Sequence, residues 1–124
     1  MKFTSFNPLI VTKDSEAAIS LFEALGFEKI HRIEAKEDNG TDITTVCMKN
    51  ENGFRVDVAQ ANGVERDLTL IRMNVDNFEE AFEWLKSKGF RPAREETLDT
   101  RTNKSTMMIS PSGYAFDLCQ HIKD

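Results

Sequence analysis

Two stretches of the chain, "ENGFRVDVAQ" at 51–60 and "PSGYAFDLCQ" at 111–120, share one pattern: a turn ending in Gly, an Asp four residues on, and a Gln three residues after that. Aligned, they pair Gly53 with Gly113, Asp57 with Asp117 and Gln60 with Gln120, and Met48 falls over Met108 just upstream. An earlier segment repeats too. "NPLIVTKDSEAAISLFEALGF" (7–27) lies over "LIRMNVDNFEEAFEWLKSKGF" (70–90) at a slightly larger offset, matching Glu16 with Glu79, Ala18 with Ala81, Gly26 with Gly89 and Phe27 with Phe90. The change of offset gives the first copy a longer loop around "AKEDNGTD". Such self-similarity means that one supersecondary unit is used twice. The 124 residues are the size of one ordinary domain, so they read as a single domain, 1–124, made of two modules at about 1–62 and 63–124.

Each copy opens with a short apolar run, 5–12 and 68–75, that suits a strand. A helix start follows: Asp14 or Ser15 in the first copy, and Asn77 with Glu80 three residues on, a capping-box-like opening, in the second. Ala18, Ile19 and Phe22 form an apolar stripe at helical spacing, repeated by Ala81, Phe82 and Leu85. Gly26 and Gly89 stand where a left-handed C-cap is wanted, and Phe27 and Phe90 lead into a second strand. Two more strands complete each copy, 43–49 with 54–59 and 104–109 with 114–120, joined by the tight turns "NENG" and "SPSG". The fold class is therefore α+β, from tandem βαβββ modules.

The order βαβββ–βαβββ, the "PSGYAFDLCQ" ending and the "VDNFEEAFEWLKSKGF" helix resemble the vicinal oxygen chelate superfamily, the group of glyoxalase I, extradiol dioxygenases, fosfomycin-resistance enzymes and bleomycin-resistance proteins. The resemblance covers essentially the whole chain. It implies a curled mixed β-sheet whose concave cleft holds the ligand. It also implies four metal-ligand positions, one at the start of each module's first strand and one in each module's last. Here those are Asn7, Leu70, Asp57 and Asp117. Leu has no lone pair to give, Asn is a weak neutral ligand, and Zn, Ni or Fe sites want imidazole or a longer carboxylate arm. The only histidines, His31 and His121, fall elsewhere. No metal and no other cofactor is expected.

Period-two alternation sorts the strand residues by face. Val56, Val58, Phe116 and Leu118, with Pro8, Ile10, Ile71, Met73 and Val75, read as helix-facing. Asn7, Leu9, Val11, Arg55, Asp57 and Ala59 then face the cleft, as do Leu70, Arg72, Asn74, Ala115, Asp117 and Cys119. So many polar groups on an interior face call for a wet cleft or mutual pairing. The candidate ligand-binding residues are Asn7, Arg55, Asp57, Arg72, Asn74, Asp117 and Cys119. Guanidinium forks suit carboxylate or phosphate, and the two aspartates cancel part of that charge, so a zwitterionic or modestly anionic small organic molecule is expected. Asp57 and Asp117 also read as an acid/base pair, against which stands their pairing with Arg55 and Arg72 as structural ion pairs. Cys119 has no His or Lys beside it in the pattern and reads as a quiet thiol. Met48, Met107 and Met108 read as core more readily than as an adaptable ligand surface.

Charge and composition narrow the partners. A net charge of −5, with basic residues scattered among the acids, opposes nucleic acid and anionic membranes. No run approaches the ~20 apolar residues of a membrane span, and "MKFTSFNPLIVTKD" lacks a signal-peptide core. Cys47 and Cys119 sit singly in apolar strands, as buried free thiols would. The expectation is a cytoplasmic homodimer, with Trp84 at a module or subunit boundary, acting as a metal-independent small-molecule-binding protein. Two readings compete: a lyase, isomerase or dioxygenase using Asn7, Asp57 and Asp117 as an atypical metal set, and an interaction module with a closed cleft.

Overall fold

A computed structural model describes residues 1–36, 42–93, 98–99 and 103–121. In chain order the elements are β1 (Phe3–Thr12), α1 (Ser15–Ala24), β2 (Glu28–Lys36), β3 (Asp42–Lys49), β4 (Arg55–Gln60), β5 (Leu68–Val75), α2 (Phe78–Ser87), β6 (Arg91–Pro92), β7 (Leu98–Asp99), β8 (Asn103–Ile109) and β9 (Ala115–His121). The strand–helix–strands order occurs twice, and the fold is α+β with a mixed sheet. The residues gather into two compact units, which we call the first unit (7–69) and the second unit (1–6 with 70–124).

In the first unit the strands run β2-β3-β4-β1. The first two junctions are antiparallel, and β1 lies parallel to β4 with Leu9 opposite Asp57. In the second unit the order is β5-β9-β8-β6, with β7 also on β8. β5 is parallel to β9 and places Arg72 opposite Asp117. Of the second strand of the second module, the described residues include β6 and β7, each of two residues and each antiparallel to β8. Pro92, which has no N–H to donate, is paired with Met108, and the contact continues with Ala93 N donating to Met107 O at 2.8 Å.

The repeated residues do matching local work. Asp14 caps α1 by accepting from Ala17 N, and Asn77 caps α2 by accepting from Glu80 N, both at 3.1 Å. Half of the expected capping box forms, because Glu80 Oε1 instead takes the Met1 ammonium at 2.9 Å. The repeated Gln clasps its own module's helix start. Gln60 Oε1 accepts from Ser15 N (2.9 Å) while its Nε2 donates to Lys13 O (2.5 Å). Gln120 Oε1 accepts from Phe78 N (2.8 Å) while its Nε2 donates to Asp76 O (2.9 Å). The repeated Gly closes each hairpin at positive φ, +88° at Gly53 and +114° at Gly113, a conformation that side-chain-bearing residues resist. Gly89 is constrained twice over: its φ is +94°, and a Cβ there would meet Pro111 Cγ at 2.9 Å.

Each helix buries its stripe on its own unit's strands. Ile19 packs with Val46, Met48, Val56 and Val58. Phe78, Ala81 and Leu85 pack with Met73, Val75, Met108 and Leu118. Full burial of side chains this size contributes roughly 1.5–3 kcal/mol each, and Met48 and Met108 are core. Two residues expected against the helices are not covered: Pro8 is exposed, and Ile71 is 36% exposed, beyond the reach of the α2 stripe.

Candidate functional site

The opposite face of each unit carries the candidate site residues. In the first unit, the parallel pair β1/β4 turns Asn7, Leu9, Arg55, Asp57 and Ala59 to this face, and β3 adds Thr45 and Cys47, which the register sets beside Ala59 and Asp57. Asn7 and Asp57 are 6% and 2% exposed. Asn7 Nδ2 donates to Pro8 O at 3.0 Å. Its Oδ1 and the Nε of Arg55 are buried and make no hydrogen bond among the described residues. A buried donor and a buried acceptor left this way are costly, and such positions are where a ligand or an ordered water is wanted.

In the second unit the polar groups have found each other. Arg72 Nε donates to Asp117 Oδ2 at 3.1 Å, and the two side chains are 8% and 15% exposed. Of the readings for the aspartates, a structural ion pair is the one seen for Asp117. Asn74 Nδ2 donates to Ser5 Oγ at 2.7 Å. Cys119 is buried, with Sγ 3.6 Å from Asp117 O. Burial, and next the Asp117 carboxylate, push its thiol well above the usual thiol range, so this is an inert sulfur and not a nucleophile. The candidate residues thus fall into two groups: Asn7, Arg55 and Asp57 together on one unit, and Arg72, Asn74, Asp117 and Cys119 together on the other.

One feature had no sequence signal. On the helix side of the first unit, a cleft of about 830 Å³ opens at the start of α1, among Lys13, Glu16, Lys29, Arg32, Thr44 and Gln60. Its charges come from the β1–α1 loop, α1 and β2, and no single periodicity joins them. Its walls mix both signs, and Arg32 Nε is held on Glu34 Oε1 at 3.2 Å. The first backbone donors of α1 are already taken by Gln60 and Asp14.

Residues 5–118 match the sequence profile of the Glyoxalase/Bleomycin resistance protein/Dioxygenase superfamily. The chain belongs to that superfamily. No curated protein sequence matches it. Among solved structures, it is similar to methylmalonyl-CoA epimerase from Mycobacterium tuberculosis, with TM-score 0.71 and 14% identity over 98% of this chain and 90% of that one. A superfamily member from Vibrio splendidus 12B01 gives TM-score 0.59 and 20% identity over 98% and 100%. A mutant glyoxalase I from Zea mays gives TM-score 0.63 and 16% identity, covering 96% of this chain and 43% of the longer maize protein. These likenesses establish the vicinal oxygen chelate fold.

The four positions that the superfamily resemblance equates with metal ligands do not form a donor set in either unit. In the second, Leu70 has no lone pair and Asp117 Oδ2 is held by Arg72. In the first, Asn7 offers an amide where imidazole would be wanted. Among the described residues, no group of three or more His, Cys, Asp or Glu is placed to hold a metal ion. None of the helices described is long and apolar enough to cross a membrane.

Proposed function

We propose that this superfamily member is a metal-independent protein that binds a small organic molecule, in the manner of the glyoxalase/bleomycin-resistance type. The observation that carries the reading is the Arg72–Asp117 pair, in which a guanidinium is seated on a carboxylate that would otherwise be a metal ligand. The ligand is zwitterionic or modestly anionic. Arg55 Nε and Asn7 Oδ1 supply a sheltered donor and a sheltered acceptor for it, with Asp57 beside them on the first unit, while Arg72, Asn74, Asp117 and Cys119 are the candidate ligand-binding residues of the second unit. A methylmalonyl-CoA epimerase of this fold is known in complex with methylmalonyl-CoA and NH4+. At 14% identity that likeness carries the fold and not the ligand. A coenzyme A ester adds several phosphates, which a chain of net charge −5 disfavours. The protein acts in the reducing cytoplasm, where Cys47 and Cys119 stay free thiols.

Elemental analysis of the purified protein tests the metal part. It should find no stoichiometric Zn, Ni, Mn or Fe. Near one equivalent, lost on mutating Asp57 and Asp117, would establish the metal-dependent lyase, isomerase or dioxygenase reading instead. A thermal-shift screen of amino acids, small carboxylates and antibiotics tests the binding part. A hit whose shift disappears in Arg55→Ala supports the reading, and no hit across the screen favours a pure interaction module.

A further inference from the structure

The internal alignment places Leu9 and Arg72 at the same point, each the second inward residue of its module's first strand. The register puts Leu9 opposite Asp57 and Arg72 opposite Asp117. One module therefore sets a hydrocarbon beside its repeated aspartate, and the other sets a guanidinium there. Leu70, two residues before Arg72 on the same face, stands at the position equated with the second module's other metal ligand and offers no donor atom.

We propose that Arg72 is a resident cation that takes the place of a divalent metal on Asp117, neutralising the carboxylate and closing it to metal uptake. The proposal rests on the metal-independent reading above and names the residue responsible for it. Guanidinium is charged at every accessible pH and forms directed N–H bonds to carboxylate oxygens. The pair is mostly withdrawn from solvent, so a metal ion approaching Asp117 would meet a like charge already in contact with the ligand atom, where screening is weak. The second unit is thus a metal half-site blocked in two steps, one donor replaced by Leu70 and the other covered by Arg72. Restoring only the donor should not reopen it, whereas restoring the donor and removing the cation should.

Zn2+ binding by calorimetry on four proteins tests this: the wild type, Leu70→His, Leu70→His/Arg72→Gln and Leu70→His/Arg72→Lys, each checked for folding by circular dichroism. The glutamine double variant should bind Zn2+ at least tenfold more tightly than Leu70→His alone. The lysine double variant, which keeps the charge, should behave like Leu70→His. Adding Asp117→Asn to the glutamine variant should abolish the gain. If the glutamine variant does not fold, Leu70→His/Arg72→Met takes its place. Equal affinity in Leu70→His and the glutamine variant overturns the proposal, as does equal affinity in the lysine and glutamine variants, or a gain that survives Asp117→Asn. Stoichiometric Zn2+ on the wild type would be a different failure, removing the metal-independent reading itself.

Discussion

The Arg72 guanidinium and the Asp117 carboxylate meet at 3.1 Å with little of either side chain in water. Taking away one partner strands the other charge, at a typical cost of about 3–5 kcal/mol for a buried pair. Asp117 retains some exposure, so the low end applies. Urea unfolding of Arg72→Ala should therefore show a loss of about 3 kcal/mol. Arg72→Ala/Asp117→Ala should lose less than the sum of the two single changes, because the double variant strands nothing. Strict additivity would mean that the contact carries no interaction energy. Two residues on, Cys119 supplies a pH dependence. Its thiol pKa is raised in the fold by burial, so the native state holds this proton more tightly than the unfolded chain does. Its contribution is fully present below the unfolded thiol pKa of about 8.5 and is lost as pH rises past it, by up to about 1.4 kcal/mol per pH unit. Cys119→Ser should flatten this alkaline decline, and an unchanged slope in that variant would refute the assignment.

At the scale of elements, the clasp made by Gln60 ties the end of β4 to both sides of the α1 cap, and Gln120 does the same for β9 and α2. Gln60→Ala removes three hydrogen bonds, the third to Asn62 Oδ1, and Gln120→Ala removes two; each leaves a helix-start N–H without its acceptor and should cost about 1–3 kcal/mol in thermal or urea unfolding. Gln→Glu keeps the acceptor and loses the donor, and should cost less. A silent Gln60→Ala would show that water replaces the clasp. The repeat was readable because its parts are local: Asp14 and Asn77 cap residues three further on, and Gly53 and Gly113 meet a backbone demand inside a four-residue turn. The facing of Asp57 and Asp117 followed from alternation alone. What escaped reading depends on distant neighbours. The Gln clasp needs a strand end to arrive beside a helix start 42 or 45 residues away in sequence. Asn74 reads as an inward residue by alternation, but nothing local signals that its amide donates to Ser5, 69 residues earlier.

At the scale of the molecule, several large apolar side chains have no cover from their own unit. In the first unit, Leu21, Leu25, Ile30 and Phe54 are exposed, and Leu25 and Ile30 line a hollow of about 440 Å³ beside the 49–52 turn. β2, at the end of its sheet order, is guarded by Glu28, Lys29, Arg32 and Glu34, charges that discourage edge pairing without filling that hollow. In the second unit, Trp84 is 52% exposed with Lys88 Nζ 5.5 Å from its ring centroid, and Phe3, Phe6 and Tyr114 are more than half exposed. Scattered exposed hydrophobics are ordinary, but this many aromatic groups suit an interface between copies. Light scattering at micromolar concentration should therefore give twice the 14.1 kDa chain mass. Trp84 is the chain's single tryptophan, so its emission reports which surface is used. If Trp84 lies in the interface, dilution through the dissociation range should shift emission to the red, and Trp84→Ala should weaken the dimer. A dimer whose emission does not move on dilution would put the contact elsewhere, with Leu25→Glu/Ile30→Glu as the variant expected to break it. A monomer at micromolar concentration would defeat the dimer outright.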